Sequence, residues 1–325
     1  MRLIKTISWM LLCGTVGFFT TATNAQTVTR VPGQIVVAKI QGIVTATHLT
    51  DQTTHTLVEK EVISQQYVVT TGANSRVVLV FSNGATVNLG SDSVLSIEEF
   101  LQDPFSDKVA VTALTEEPTT SSTRLNMARG ELVGNVKHLK REKGSSFIVN
   151  TPVGAAGIRG TTFRIVFRPD ASGTVTFTLS VSEGTVEFVA AGQSPVTVTS
   201  GQEITVEVEV TVNPATRAVT IVSPPRISVP VNIPPAIQAA IANAAQQIIE
   251  AAQTIILSLS PTSAANGGAG QPAGRPSSDE KNKEDEKKPG PVPGQNADPV
   301  FSPGKNPLPE IVPPPPDVTP GAGAN

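Results

Sequence analysis

Three histidines, one tyrosine and a few acidic pairs are the side chains in this 325-residue sequence that could bind a metal or move a proton. His48, His55 and His138 do not form an H-x-x-x-H or H-E-x-x-H arrangement, so no zinc site is expected. His48 and His55 fall in a polar, Thr-rich stretch and read as surface histidines. Glu98-Glu99 and Glu116-Glu117 are adjacent pairs. Successive side chains on a strand point to opposite faces, so neither pair converges as an acid and a base must. Gly154, Gly157 and Gly160 make G-x-x-G-x-x-G, without the spacing or the strand-to-helix setting of a dinucleotide fingerprint. A tight turn between strands explains these glycines better. There is no P-loop and no G-x-S-x-G elbow. Tyr67 is the only tyrosine and the 11 phenylalanines are scattered, which leaves poor stacking platforms for sugars or single-stranded nucleic acid. No catalytic residue, cofactor or metal is expected.

The distinctive stretch runs from Phe147 to Phe167. An apolar strand reaches Thr151-Pro152, a small-residue turn is expected over Gly154 to Gly157, and Arg159-Gly160-Thr161 leads into a second strand, Phe163 to Phe167. Arg159 sits among small apolar residues and is expected to be partly enclosed, where a guanidinium needs carboxylates or carbonyl oxygens. Two roles fit it: tying the turn to a neighbouring strand, or presenting a charge to a partner. Thr151, Pro152, Gly157, Arg159, Gly160, Thr161 and Phe163 are the candidate interaction residues.

Short β-like runs surround this stretch. Residues 30–222 are rich in Val, Thr, Ile and Gly, with turns at close spacing. Arg76–Phe81 and Ala85–Leu89 flank Asn83-Gly84, a strong hairpin signal. Ser93–Ile97, Thr174–Ser182, Thr185–Ala190 and Val196–Thr199 follow. In Ile204–Val212 the alternation is strict, with five aliphatic residues on one face and Glu207 and Glu209 on the other. Asn213–Thr216 turns the chain, and Arg217–Val222 can pair back. A loose glycine repeat recurs at Gly42, Gly84, Gly130 and Gly184. The expected fold is all-β, with solenoid-like or sandwich-like stacked short strands. Residues 102–124, with Asp103-Pro104 and Glu116-Glu117-Pro118, read as a long surface insertion.

The ends differ in composition. Residues 1–25 have a basic start (Arg2, Lys5), a 13-residue apolar run from Ile7 to Phe19 and small residues before position 25, the pattern of a cleaved signal peptide. That run is too short to span a membrane as a helix, and no membrane span is expected after cleavage. Cys13, the only cysteine, lies inside it after Leu12, so neither a lipid anchor nor a disulfide is expected. Losing Arg2 and Lys5 takes the formal charge from −3 to −5, which gives no reason to expect nucleic acid as partner. Residues 223–235 read as a Pro-rich linker. Residues 236–259 show an apolar stripe at helical spacing, Ile237, Ile241, Ala245, Ile248, Ala252, Ile255 and Leu259. This helix either packs on the β-domain as a lid or binds a partner. Residues 260–325 are rich in proline and glycine, hold the mixed charge run Asp279–Lys288 and have few apolar residues, so a disordered tail with extended polyproline character is expected.

Three segments carry a resemblance. Arg76–Leu89 with its central Asn83-Gly84, Gly130-Glu131-Leu132, and Phe147–Phe167 with Thr151-Pro152 and Arg159-Gly160-Thr161 together resemble the FecR-type periplasmic domain, the sensor module of iron-dicitrate-type signalling systems. The resemblance covers about residues 35–210. It implies a two-tiered, solenoid-like β-structure and a protein partner in the envelope. Full-length regulators of this kind place an anti-sigma segment and one transmembrane helix before the domain, and this sequence shows neither. The expectation is an exported, non-enzymatic recognition or sensing module, periplasmic or on the cell surface. The alternative is a structural or adhesive β-protein that binds glycan or matrix.

Overall fold

The computed structural model describes residues 29–169, 171–190 and 192–260. The expected signal peptide, residues 1–25, and the expected tail, residues 261–325, lie outside the described residues. Within them the period-2 patterning becomes two stacked sheets. The first holds Thr54–Thr56, Val44–His48, Tyr67–Thr71, Val94–Gln102, the first half of Ser121–Asn135, Ser146–Thr151, Gly154–Ile158, Thr185–Ala190 and Val196–Thr199, in that spatial order. The second holds Ile35–Gln41, Arg76–Phe81, Thr86–Leu89, the second half of Ser121–Asn135, Thr162–Phe167, Gly173–Glu183 and Gln202–Val212. The ladders are antiparallel, except that Ser122–Asn126 runs parallel to Ser146–Asn150. Each outermost strand of the first sheet, Thr54–Thr56 and Val196–Thr199, has a strand neighbour on one side only, so the sheet does not close into a barrel.

The chain crosses from sheet to sheet at corners with positive φ, among them Gly42, Asn74, Asp92, Gly160 and Gly201. Two corners admit glycine alone. At Gly130 (φ 111°) a Cβ would overlap the side chain and Cα of Ser93, and at Gly184 (φ 88°) it would overlap the Gly160 carbonyl oxygen. Gly42, Gly130 and Gly184 of the loose repeat are therefore corners. Gly84 (φ 84°) instead closes the hairpin between Arg76–Phe81 and Thr86–Leu89. The long strand Ser121–Asn135 passes through Gly130 and belongs to both sheets, which couples them.

Inward-facing residues of both sheets fill one core. Phe81, Phe163, Phe167 and Phe177 from the second sheet meet Phe100, Phe147 and Phe188 from the first, all fully buried. Phe81 and Phe100 pack edge to face at 5.2 Å, and Phe177 stacks on Phe188 at 5.1 Å. Phenylalanines that look scattered in sequence converge because each sits at an inward parity.

Three expectations change. The helix spans Pro235–Ala252, with Pro235 in its first turn where a missing N–H costs nothing. Its stripe, through Ile241 and Ile248, covers Val78 and Val133 on the outer face of the second sheet. Gln247 accepts hydrogen bonds from Arg76 (2.9 Å) and Asn88 (3.3 Å) on that face. The helix ends seven residues before Leu259, because Ile256–Leu259 is a strand paired with Phe105–Ala110. Its buried Leu257 and Leu259 and exposed Ile256 follow a period of two, which the helical stripe imitated. The supposed insertion over 102–124 is thus largely structured: Phe105–Ala110 is a strand and Ser121 opens the longest one. Within it Glu117 is fully buried, accepting from the Ser121 hydroxyl (2.6 Å) and the Lys140 backbone N–H (2.6 Å). Finally, the Pro-rich residues expected as a linker form a broken edge strand. Arg226–Ile227 pairs with Val206 and Glu207, and Val231–Asn232 pairs with Gln202 and Glu203. Pro224, Pro225 and Pro230 interrupt it and withhold N–H donors from any further strand.

Candidate functional site

The stretch singled out in the sequence folds into a hairpin and a corner. The Thr151 hydroxyl donates to the Gly154 carbonyl (2.8 Å) and accepts from the Gly154 N–H (3.2 Å), which closes the turn over Pro152-Val153. The expected turn over Gly154 to Gly157 is instead a strand, Gly154–Ile158, between Ser146–Thr151 and Thr185–Ala190. Small residues serve close approach here. A Cβ on Gly154 would crowd the Ala190 backbone at 2.9 Å and the Phe188 ring at 2.8 Å. Ala156 and Ile158 point into the core, while Ala155 and Gly157 face outward.

That outward parity makes a groove of about 300 Å³ on the first sheet. Ala155 and Gly157 form its floor, Ile148 and Val189 its apolar walls, and Arg141, Arg159 and Glu187 its charged rim. Arg159 is exposed, against the expectation of partial enclosure, but it has the expected carboxylate partner, an ion pair with Glu187 on the neighbouring strand. It lies one residue past Ile158 at an outward position, so its guanidinium leaves the core. Of the other candidates, Gly160 makes the corner (φ 69°) beneath His138, Thr161 is buried in that corner, and Phe163 is a core residue. The fold therefore brings Gly157 and Arg159 to one surface and assigns Thr151, Pro152 and Phe163 to structure. Sequence reasoning missed Arg141, Ile148, Glu187 and Val189. The alternation of Thr185–Ala190 places Glu187 and Val189 on one face, but pairing with Gly154–Ile158 could not be read from it.

Two other constellations frame the site. At one end of the first sheet His48 packs on Tyr67 (4.9 Å) and bonds Asp51 (3.2 Å), while His55 bonds Glu61 (2.7 Å). Burial and then the nearby Asp51 and Glu61 carboxylates raise the Tyr67 hydroxyl above its usual value. Among the described residues no group of three or more His, Cys, Asp or Glu side chains is placed to hold a metal ion. On the second sheet Glu131 accepts from Arg164 (2.7 Å) and Arg168 (3.2 Å). Burial opposes ionisation of Glu131, but the two arginines outweigh it and hold the carboxyl below its ordinary range.

Residues 67–187 match the model of the FecR protein family. No curated protein matches the chain. Two crystal structures of a candidate anti-sigma factor from Parabacteroides distasonis ATCC 8503, at 1.65 and 2.50 Å resolution, share 17% identity with it at a TM-score of 0.32. Each alignment covers 48% of this chain and 59% of that one, so the chain spans less than two thirds of the matched structure. Among the described residues no helix is long and apolar enough to cross a membrane.

Proposed function

We propose that this chain is an exported, non-catalytic recognition module of the cell envelope, periplasmic or surface-exposed, that docks another protein on the outer face of its first sheet. The observation that carries this reading is the signature groove. Its floor is bare because two consecutive outward positions, 155 and 157, hold Ala and Gly, and the ion pair at its rim offers both signs of charge. The match to the FecR family model over residues 67–187 supports a sensing or regulatory role. A glycan-binding role is less well supported, since the groove's one aromatic residue, Phe147, is buried and presents no open ring face.

Gly157 makes the reading testable without unfolding the domain. A Cβ there meets its nearest neighbour, the Glu187 carbonyl, at an ordinary 3.7 Å, and the residue needs no positive φ. Gly157→Arg fills the groove and leaves the core untouched. Crosslinked capture from the native envelope should yield a discrete protein with the parent chain and lose it with Gly157→Arg, at unchanged thermal midpoint. Equal capture by both chains would remove the groove from the interface.

A further inference from the structure

The groove has a direction. On the first sheet Asn150, Ala155 and Val189 stand side by side in register, and Ile148, Gly157 and Glu187 form the next rank. Both ranks dip at their centre, where Ala and Gly stand between larger outward side chains. The result is a trough along Gly154–Ile158, with one strand as its floor and the neighbouring strands as its walls. Adjacent strands lie about 4.8 Å apart, so the walls stand about 10 Å from each other, and outward positions 155, 157 and 159 cover about 13 Å of length. Those dimensions admit one extended chain laid along the strand. Ile148 and Val189 present apolar surface on opposite walls, and Val189 is 39% exposed.

The trough is also polarised. Arg159 lies two residues beyond Gly157, and Ser146 two residues before Ile148, so both mark the same end. Arg141 lines the groove from the turn Arg141–Lys143 that leads into Ser146. Glu187 neutralises Arg159, and Glu99 (3.5 Å) holds Arg124, the outward neighbour of Ile148 on its other side. Arg141 is exposed, and among the described residues its guanidinium has no hydrogen bond or ion pair. Glu142 and Lys143 of the same turn do not line the groove. The rim therefore sets Arg141 and Arg159 against Glu187 alone, and its excess charge is positive. Resting on the docking reading above, we propose that the occupant is an extended acidic peptide segment of the partner protein. It lies along Gly154–Ile158, with apolar side chains over Ala155 and Gly157 and a carboxylate on Arg141. A guanidinium takes a carboxylate in a charge-assisted, two-pronged geometry, and apolar side chains over the bare floor remove Ile148 and Val189 from water. A basic segment would meet the excess positive charge.

The test is fluorescence anisotropy of labelled peptides with the intact chain. The probes are Ser-Val-Thr-Val-Ser-Asp-Asp, the same peptide with both aspartates moved to its other end, a counterpart with lysine for aspartate, and one with glycine for valine. Saturable binding is expected from at least one aspartate peptide, with a Kd tighter than about 1 mM and about tenfold or more tighter than the lysine and glycine counterparts. Arg141→Glu, at an exposed position, should reverse the preference, so that the lysine peptide binds better than the aspartate one. Gly157→Leu, which fills the trough without changing its charge, should abolish binding. An absence of saturable binding by both aspartate peptides, or an unchanged preference in Arg141→Glu, would overturn the acidic segment. So would binding retained in Gly157→Leu, or an anionic glycan, tetragalacturonate, binding as tightly as the peptides. Failure here is separable from failure of the docking surface: envelope capture that is lost in Gly157→Arg but untouched by Arg141→Glu keeps the groove and rejects the acidic segment.

Discussion

At the residue scale, burial separates side chains that look alike in sequence. Glu116 and Glu117 are neighbours, yet Glu116 is 65% exposed at its side chain and Glu117 is fully buried, with one oxygen bonded by Ser121 and the other by Lys140. Glu117→Ala leaves those donors unpaired inside the protein and should cost about 1–3 kcal/mol in urea unfolding. Glu131 makes a pH-dependent contribution. Its folded value lies below its unfolded one, so its stabilisation is present above the unfolded carboxylate pKa and is lost as pH falls through the folded value. Glu131→Gln should therefore be less stable than the parent near pH 7, and the gap should shrink on acidification below the ordinary glutamate range. A constant gap from neutral to strongly acid pH would show that packing, not the arginine pairing, is lost. Arg159 illustrates where sequence stops: its small apolar neighbours implied enclosure, but strand parity, fixed only by pairing with Thr185–Ala190, turns it to solvent.

At the element scale, the corners and the helix set the geometry. Gly130→Ala forces an L-residue into positive φ against the Ser93 backbone, a strain of about 1–3 kcal/mol before any overlap is counted. Gly157→Ala, in extended backbone where a Cβ makes only an ordinary 3.7 Å contact, should stay within about 0.5 kcal/mol of the parent. The two variants, compared by thermal unfolding, separate glycine needed for the fold from glycine that keeps the groove open. The helix invites the same comparison: Ile241→Ala removes a fully buried side chain and should cost about 2–5 kcal/mol, whereas Ile249→Ala, 49% exposed, should be near neutral. Strands with strong alternation were legible, and Arg76–Phe81, Thr185–Ala190 and Val196–Thr199 fall where the sequence placed them. Gly154–Ile158 was not, because Gly and Ala lack strand propensity and the stretch is a strand only through its two neighbours. Ile256–Leu259 was not, because its partner Phe105–Ala110 lies about 150 residues away and no local pattern reports it.

At the scale of the whole molecule, the two faces have different fates. The outer face of the second sheet is covered by the helix around Val78 and Val133, and its edge is blunted by prolines at 224, 225 and 230. The outer face of the first sheet around Ala155 and Gly157 carries no such cover among the described residues, and the FecR-type signature lies under it. The sequence announced that signature as the place of interest. What it could not disclose was which side of a two-layered fold the signature presents, since that depends on the corner at Gly160 and on long-range register. The most direct measurement of the central claim is site-specific photocrosslinking in the native envelope, with the photoreactive residue placed at Val189 on the groove wall or at Ile249 on the outer face of the helix. The account predicts a discrete protein adduct from Val189, abolished by Gly157→Arg, and none from Ile249. Adducts from Ile249 alone would move recognition to the helix and contradict it.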